Sequence, residues 1–224
     1  MAVVAIVALI GVWWILGESI LHSPAIVDVD ESISRWFADH RGPRVDELTR
    51  LGSALGDTPV KIVATLAMAS WAWQRFRRWQ EPVMIAVPLV MEATTFIVVT
   101  HLVGRHRPEV RQLEASFVHS SFPSGHVAAA AVYGAMGVVV AWHARSRRPR
   151  VVAFAAAALI TTSVALARVW RGMHHLSDVV AGALLGVVTV VFVARRLGPY
   201  VRRTDADAPQ EPAGPPDGVK ANPA

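Results

Sequence analysis

Three short segments of the chain combine arginine or histidine with small residues, and each lies at the end of an apolar run. They are 104–108, 122–126 and 168–178. Arginine presents a fixed fork of donors that fits phosphate oxygens. Histidine can attack phosphorus or transfer a proton near neutral pH. These residue types together predict chemistry on a phosphate group.

The third segment holds His174 and Asp178, which are four residues apart. On a helix this spacing puts two side chains on one face. We expect the carboxylate to accept a hydrogen bond from one imidazole nitrogen and leave the other nitrogen free as nucleophile or base. His126 comes from another helix start and can protonate the leaving oxygen as general acid. His174, His126 and Asp178 are therefore the predicted catalytic residues.

The second segment should bind an anion. Ser124 and Gly125 stand where the fourth apolar run begins, so free backbone N–H groups and the helix dipole favour a phosphate there. No grouping of Asp or Glu in the three segments resembles an oxygen cage for a divalent cation. We expect neither a metal nor another cofactor.

The motifs resemble those of the type 2 phosphatidic acid phosphatases. Pro123–His126 looks like the central motif of that family, and Arg107-Pro108 matches the end of its first motif. Arg168, His174 and Asp178 are spaced as in its third motif. The likeness covers about residues 1–200, with the three motifs in the expected order on the expected helix ends.

The resemblance implies a metal-free mechanism with a phosphohistidine intermediate. In it, His174 attacks phosphorus, Asp178 orients His174, and His126 protonates the leaving group. The implied phosphate ligands are Arg107, Arg168, Ser124 and Gly125.

One position departs from the family pattern. The first motif opens with a lysine seven residues before its arginine, and this chain has Thr100 there. Thr100 can donate a hydrogen bond to phosphate but cannot neutralise its charge. Two other residues are candidates for the missing cation: Lys61, near the start of the second apolar run, and Arg105, as a phosphate or head-group contact.

Long apolar runs must position these segments. They cover about residues 2–20, 58–74, 82–103, 127–142, 151–167 and 177–194, and 53% of the chain is hydrophobic. Each run approaches the length that a helix needs to cross a bilayer. The first run lacks a charged n-region and a small-x-small cleavage site, so we interpret it as a span and not as a signal peptide. The predicted fold is all-α, a membrane bundle of six transmembrane helices.

Charge distribution predicts the orientation of this bundle. Arginines cluster after the second, fourth and sixth runs, which puts those ends in the cytoplasm by the positive-inside rule. The three motif segments then face outward. The first outer connection, about residues 21–57, shows helical spacing on both sides of Gly42 and predicts short amphipathic helices at the membrane surface. We expect residues 1–203 to form the membrane domain and residues 204–224 a disordered cytoplasmic tail.

Composition excludes several other classes of protein. Cysteine is absent, so a disulfide framework and a thiolate site are impossible. The net charge of +5 lies in short clusters between apolar runs and not on one soluble face, so no nucleic-acid partner is expected. The alanine-rich, arginine-rich and lysine-poor composition indicates a high-GC bacterial coding sequence, so we expect the membrane to be that of a bacterial cell.

The predicted function is a lipid-phosphate phosphatase. Its substrate would be a polyprenyl phosphate or diphosphate, phosphatidic acid or phosphatidylglycerol phosphate. Two alternatives remain from the sequence: a lipid-phosphate binding or transport protein with weakened turnover, and a phosphotransferase that passes the group to a lipid or sugar. The sequence does not fix the oligomeric state.

Overall fold

The computed structural model describes residues 2–116 and 118–206, so the predicted tail beyond residue 206 lies outside the described residues. The described chain is all-α. Its helices, in chain order, are α1 (Ala2–Leu21), α2 (Pro24–Asp39), α3 (Pro43–Ala54), α4 (Thr58–Phe76), α5 (Gln80–Val103), α6 (Gly125–Val132), α7 (Gly134–His143), α8 (Arg147–Trp170) and α9 (Leu176–Ala206).

Five segments of the described chain are long and apolar enough to cross a membrane: Val3–Leu21, Gln80–Val103, Gly125–His143, Arg147–Trp170 and Leu176–Val201. The third consists of α6 and α7 together, with a break at Tyr133. Helix α4 is not among them, because Lys61 and Arg75 make its 19 residues less apolar. The protein is therefore an all-helical, multi-pass membrane protein.

Helix α4 nevertheless runs the whole length of the α6 and α7 pair. At its start, the Asp57 carboxylate contacts His126 in the first turn of α6. At its end, the Phe76 ring stacks on His143, the last residue of α7, with 3.9 Å between ring centroids. The two ends of α4 thus lie at opposite ends of the bundle.

Small residues bring α6 and α9 into close contact. A Cβ atom on Gly182 would lie 2.4 Å from the Ser124 carbonyl oxygen, and one on Gly186 would lie 2.3 Å from the Ala128 carbonyl oxygen. Glycines four residues apart allow this approach because they line up on one face of the helix. The contact fixes the start of α6 against the first turns of α9.

Helices α2 and α3 form the first connection and are separated at Gly42, where the sequence predicted a break. They pack on the end of α8. Trp170 donates its indole N–H to Asp46 of α3 at 2.7 Å, and its carbonyl accepts from Arg41 at 2.9 Å. Phe37 of α2 packs edge-on against the same indole. The connection therefore covers the bundle end that carries the motif segments.

Candidate active site

The motif segments surround one cavity of about 490 Å³ at this end of the bundle. It lies between the start of α4, the loop after α5, the start of α6 and the turn between α8 and α9. Among its lining residues are Lys61, Arg107, Glu114, His126, Arg168 and His174. Gly125 lines it as well, so six of the residues that the sequence singled out meet in one place.

His174 lies in the turn that precedes α9, with one ring edge fixed by the main chain. Its Nδ1 is 2.7 Å from the carbonyl oxygen of Ser121. Because a carbonyl only accepts hydrogen bonds, Nδ1 carries the proton and Nε2 keeps a free lone pair. Burial lowers the pKa of this imidazole well below its ordinary value, and the charges of Arg168 and Arg107 lower it further. The ring is therefore neutral.

Asp178 does not orient His174 as the sequence predicted. Helix α9 begins at Leu176, so the two residues do not share a helical face, and Nδ1 of His174 is 3.9 Å from the carboxylate. The carboxylate instead accepts from the backbone N–H of His175 at 2.9 Å and from the His175 ring at 3.2 Å. Its other oxygen accepts from Arg105 at 2.5 Å. Asp178 thus acts on the turn that carries His174 and not on the imidazole itself.

Arg105 does not line the cavity, so its predicted contact with phosphate is wrong. The guanidinium is buried and donates to Asp178, to Asp30 of α2 at 2.8 Å and to Ser177 at 2.7 Å. Two carboxylates on neighbouring helices attract it away from the cavity. Arg105 therefore links α2 to the start of α9.

His175 is part of the same buried group. Its Nδ1 faces Asp178 and its Nε2 lies 2.9 Å from Glu31 of α2. Burial works against the charged ring, but the hydrogen bonds and charges of these two carboxylates outweigh it and raise the pKa. An imidazolium between two carboxylates ties the turn before α9 to α2.

Arg107 donates hydrogen bonds to the chain segments on both sides of the cavity loop, including the residue before His174. It donates to the carbonyl oxygens of Met173 and Val118, and to Ser116 Oγ at 2.6 Å. Its buried Nε has no hydrogen-bond partner among the described residues. One donor of this arginine thus remains for a ligand.

Arg168 is held by a carboxylate that the sequence did not single out. It donates to Glu114, which also accepts from Arg171 at 2.5 Å. Burial alone would raise the pKa of Glu114. The charges and hydrogen bonds of the two arginines nevertheless hold it below its ordinary value. Arg168 also donates to Ser53 Oγ at 2.9 Å, and its buried Nε lacks a partner among the described residues.

The predicted anion site at the start of α6 is present only in part. The backbone N–H of Ser124 donates to the Asp178 carbonyl at 3.0 Å, so it is not free for phosphate. Gly125 lines the cavity, and its N–H belongs to the first turn of α6, where no intrahelical acceptor exists. Ser124 Oγ is buried, with no partner in the described part of the chain.

Of Thr100 and Lys61, only Lys61 lines the cavity. Thr100 is buried and does not line the cavity, because the helix turns this side chain into the bundle, so the structure gives its predicted phosphate contact no support. Lys61, on the preceding helix α4, lines the cavity. The cation beside the site therefore comes from α4 and not from α5.

His126 lines the same cavity as His174. Its Nε2 is 3.0 Å from Asp57, the residue before α4. Burial raises the pKa of Asp57, and the charge of Glu114 raises it further, while Arg168 lowers it. Sequence reasoning missed Asp57, although its position as the N-cap of α4 was a signal that this acid lies at a helix end.

Comparison with known proteins identifies the family. A sequence model of the PAP2 superfamily matches residues 83–200, which contain all three motif segments. The chain belongs to the PAP2 superfamily. It is accordingly a metal-independent phosphatase of lipid phosphates, in which charge on the phosphoryl group must be met by the protein's own donors.

Individual relatives agree with this assignment. Phosphatidylglycerophosphatase B of Bacillus subtilis strain 168 is 28% identical over 182 residues, covering 77% of this chain and 85% of the relative. The fold is similar to the crystal structure of a transmembrane PAP2-type phosphatidylglycerolphosphate phosphatase from B. subtilis, with a TM-score of 0.77, 24% identity, and coverage of 88% and 98% of the two chains. Aquifex aeolicus LpxE is more distant, with a TM-score of 0.59, 20% identity, and coverage of 75% and 95%.

Proposed function

We propose that this PAP2 member hydrolyses a lipid phosphate through a phosphohistidine formed on His174. One observation carries the proposal. His174 donates its Nδ1 proton to a carbonyl and lines a cavity that Arg107, Arg168 and His126 also line. A neutral imidazole facing two arginines suits attack on a bound phosphate.

The proposed reaction has two steps. In the first, Nε2 of His174 attacks phosphorus, the bond to the lipid oxygen breaks, and His126 gives that oxygen a proton. In the second, water attacks the phosphohistidine, His126 takes a proton back, and inorganic phosphate leaves. The unpaired Nε groups of Arg107 and Arg168, with Ser124 Oγ and the Gly125 N–H, are the donors that we assign to the phosphate.

Lys61 is the proposed substitute for the motif lysine that Thr100 replaces. It lines the cavity, so its ammonium can approach an anionic group bound there. Ammonium binds phosphate as a point charge on a flexible stem, which fits a cation reaching in from α4.

We further propose that the chain crosses the membrane six times, because α4 also crosses in addition to the five apolar segments. Its ends contact His126 and His143 at opposite ends of the bundle, and its outer face exposes Ile62, Val63 and Leu66. Six crossings put the arginine clusters after α4, after α7 and at the end of α9 on the cytoplasmic side. The cavity then lies at the outer interface, with α2 and α3 on the outer membrane surface and the tail from residue 204 in the cytoplasm.

Of the predicted substrates, phosphatidylglycerol phosphate receives the most support, because the name of the B. subtilis relative refers to that lipid. The test is phosphate release from phosphatidylglycerol phosphate, phosphatidic acid and a polyprenyl diphosphate, by purified protein in detergent. We expect wild type to release phosphate in the presence of a chelator. His174→Ala should lower kcat by roughly a thousandfold or more.

His101→Ala is the matched control, because His101 is an exposed histidine whose ring contacts the Ile97 carbonyl of its own helix. Equal release by wild type and His174→Ala would contradict the enzyme and favour the lipid-binding alternative. Transfer of the group to an added lipid or sugar without phosphate release would favour the phosphotransferase.

A further inference from the structure

The contact between Asp57 and His126 joins two elements that lie far apart in sequence. Oδ1 of Asp57 is 3.0 Å from Nε2 of His126, and both side chains line the cavity. The side chains are 48% and 30% exposed, so a ligand in the cavity can reach both. Asp57 lies outside the three motif segments, so the motifs alone do not supply this partner of His126.

Gly56 shows that the approach is built into the backbone. A Cβ atom at position 56 would lie 2.9 Å from both the Cβ and the carbonyl oxygen of His126. Any larger residue would push the chain away from α6 and separate Asp57 from the imidazole. The Gly56-Asp57 dipeptide therefore docks on His126 before α4 begins.

The charges around His126 explain why a carboxylate is needed. Arg168, Arg107 and Lys61 line the same cavity as this ring, and their positive charges oppose a proton on it, while Glu114 is another acid in that lining. Glu114 is already shared between Arg168 and Arg171. Asp57 is the carboxylate in direct contact with the ring, and a general acid must carry its proton before the leaving oxygen departs.

We propose that Asp57 is a positioning residue that orients His126 and supports its imidazolium during departure of the lipid alcohol. The inference rests on the proposed function. In the imidazolium, Nε2–H is donated to Asp57, and Nδ1–H is the proton given to the leaving oxygen as the phosphorus–oxygen bond breaks. His126 ends that step neutral and regains the proton from the attacking water, while Asp57 keeps its charge throughout.

The test compares two phosphate monoesters. One is an alkyl phosphate, and the other is a nitrophenyl phosphate whose ring carries the same alkyl chain. Only the alkoxide needs a proton to leave, because nitrophenolate is already a stable anion. Asp57→Asn, which keeps a hydrogen bond but loses the charge, should lower kcat/KM for the alkyl phosphate by about tenfold or more, because kcat/KM reports the step in which the alcohol leaves. Its kcat/KM for the nitrophenyl phosphate should change by less than about threefold. Asp57→Ala should show a larger difference of the same kind.

Asp28→Asn is the control, because it removes an exposed carboxylate from the same connection. Combining Asp57→Asn with His126→Ala should add little to the loss from His126→Ala alone. Equal loss on both substrates, or no loss on either, would overturn the role of Asp57. Neither result touches the proposed function, which fails separately if His174→Ala retains wild-type turnover.

Discussion

At the scale of single residues, the main chain and not a carboxylate orients the proposed nucleophile. Ser121 O accepts the Nδ1 proton of His174, and Asp178 is bound to Arg105 and His175. A neutral acceptor fixes the tautomer without adding negative charge beside the ring. The imidazole therefore stays neutral among arginines, with Nε2 unprotonated, as a nucleophile requires.

The pH dependence of turnover should reflect this environment. Burial and the charges of Arg168 and Arg107 lower the pKa of His174, so the reactive neutral form persists as the pH falls. Protonation then removes activity only below the ordinary imidazole value of about 6.5. We expect the acidic limb of kcat/KM, corrected for the ionisation of the substrate phosphate, to lie below that pH. An apparent pKa above about 7 for the acidic limb of this profile would contradict a lowered pKa of His174.

Arg105 should matter for stability and not for phosphate binding. It is buried between Asp30 and Asp178, and its removal leaves two buried carboxylates without their cation. Arg105→Ala should reduce the free energy of unfolding by about 3 kcal/mol or more. Thermal unfolding in detergent measures the effect, with the exposed Arg44→Ala as control. A melting temperature equal to that of the control would contradict the buried network.

At the scale of elements, close contact between α6 and α9 sets the distance between the two proposed catalytic histidines. His126 is in the first turn of α6, and His174 immediately precedes α9. Gly182 and Gly186 let the α9 backbone meet the Ser124 and Ala128 carbonyls. Without that approach, the two histidines would not line the same cavity.

A larger side chain at this contact should disturb both stability and activity. Gly186→Leu places atoms where the Ala128 carbonyl lies, and overpacking of this kind costs about 1–3 kcal/mol or more. We expect a lower melting temperature and a loss of phosphate release. Gly11→Leu is the matched control, because a Cβ there has open space around it. Equal behaviour of the two variants would show that the contact is unimportant.

Sequence patterns predicted some elements well and others poorly. The runs at 82–103 and 151–167 correspond to α5 and α8, because apolar length and charged flanks decide such helices. The break between α6 and α7 at Tyr133 has no glycine-proline signal and was not predicted. Contacts of Asp30 and Glu31 with the turn before α9 depend on how α2 docks, so spacing along the chain could not reveal them.

The same limit applies within the candidate site. Motif spacing predicted that His126, His174, Arg107 and Arg168 lie together, and all four line one cavity, but the carboxylates that contact His126 and Arg168 come from outside the motif segments. Glu114 reaches Arg168 from an irregular loop, where no periodicity guides prediction. The charge partner that we propose lies on α4, since Lys61 lines the cavity and Thr100 does not.

At the scale of the whole molecule, the two ends of the bundle differ in chemistry. One end holds the cavity and its histidines, and the other holds arginine clusters such as Arg75, Arg77, Arg145 and Arg147. An enzyme that acts on lipid head groups needs its site at the interface, where the phosphate is in water and the tail is in the bilayer. The proposed orientation puts the cavity at the outer interface.

Single cysteines can test the number of crossings, because the natural chain has none. Six crossings place Glu109→Cys on the outer side, and Arg77→Cys and Ser146→Cys on the inner side. An impermeant maleimide should label only the first in intact cells and all three after permeabilisation. If α4 does not cross, Arg77→Cys will share the accessibility of a cysteine introduced at Ser23.

The most direct test of the central claim is to trap the phosphoryl group on the protein. Wild type is mixed with substrate labelled at the phosphate, quenched in alkali within one turnover and digested. We predict an acid-labile, base-stable label on the peptide that contains His174, and none in His174→Ala. Turnover by wild type without labelled protein, or label on His126, would contradict the account.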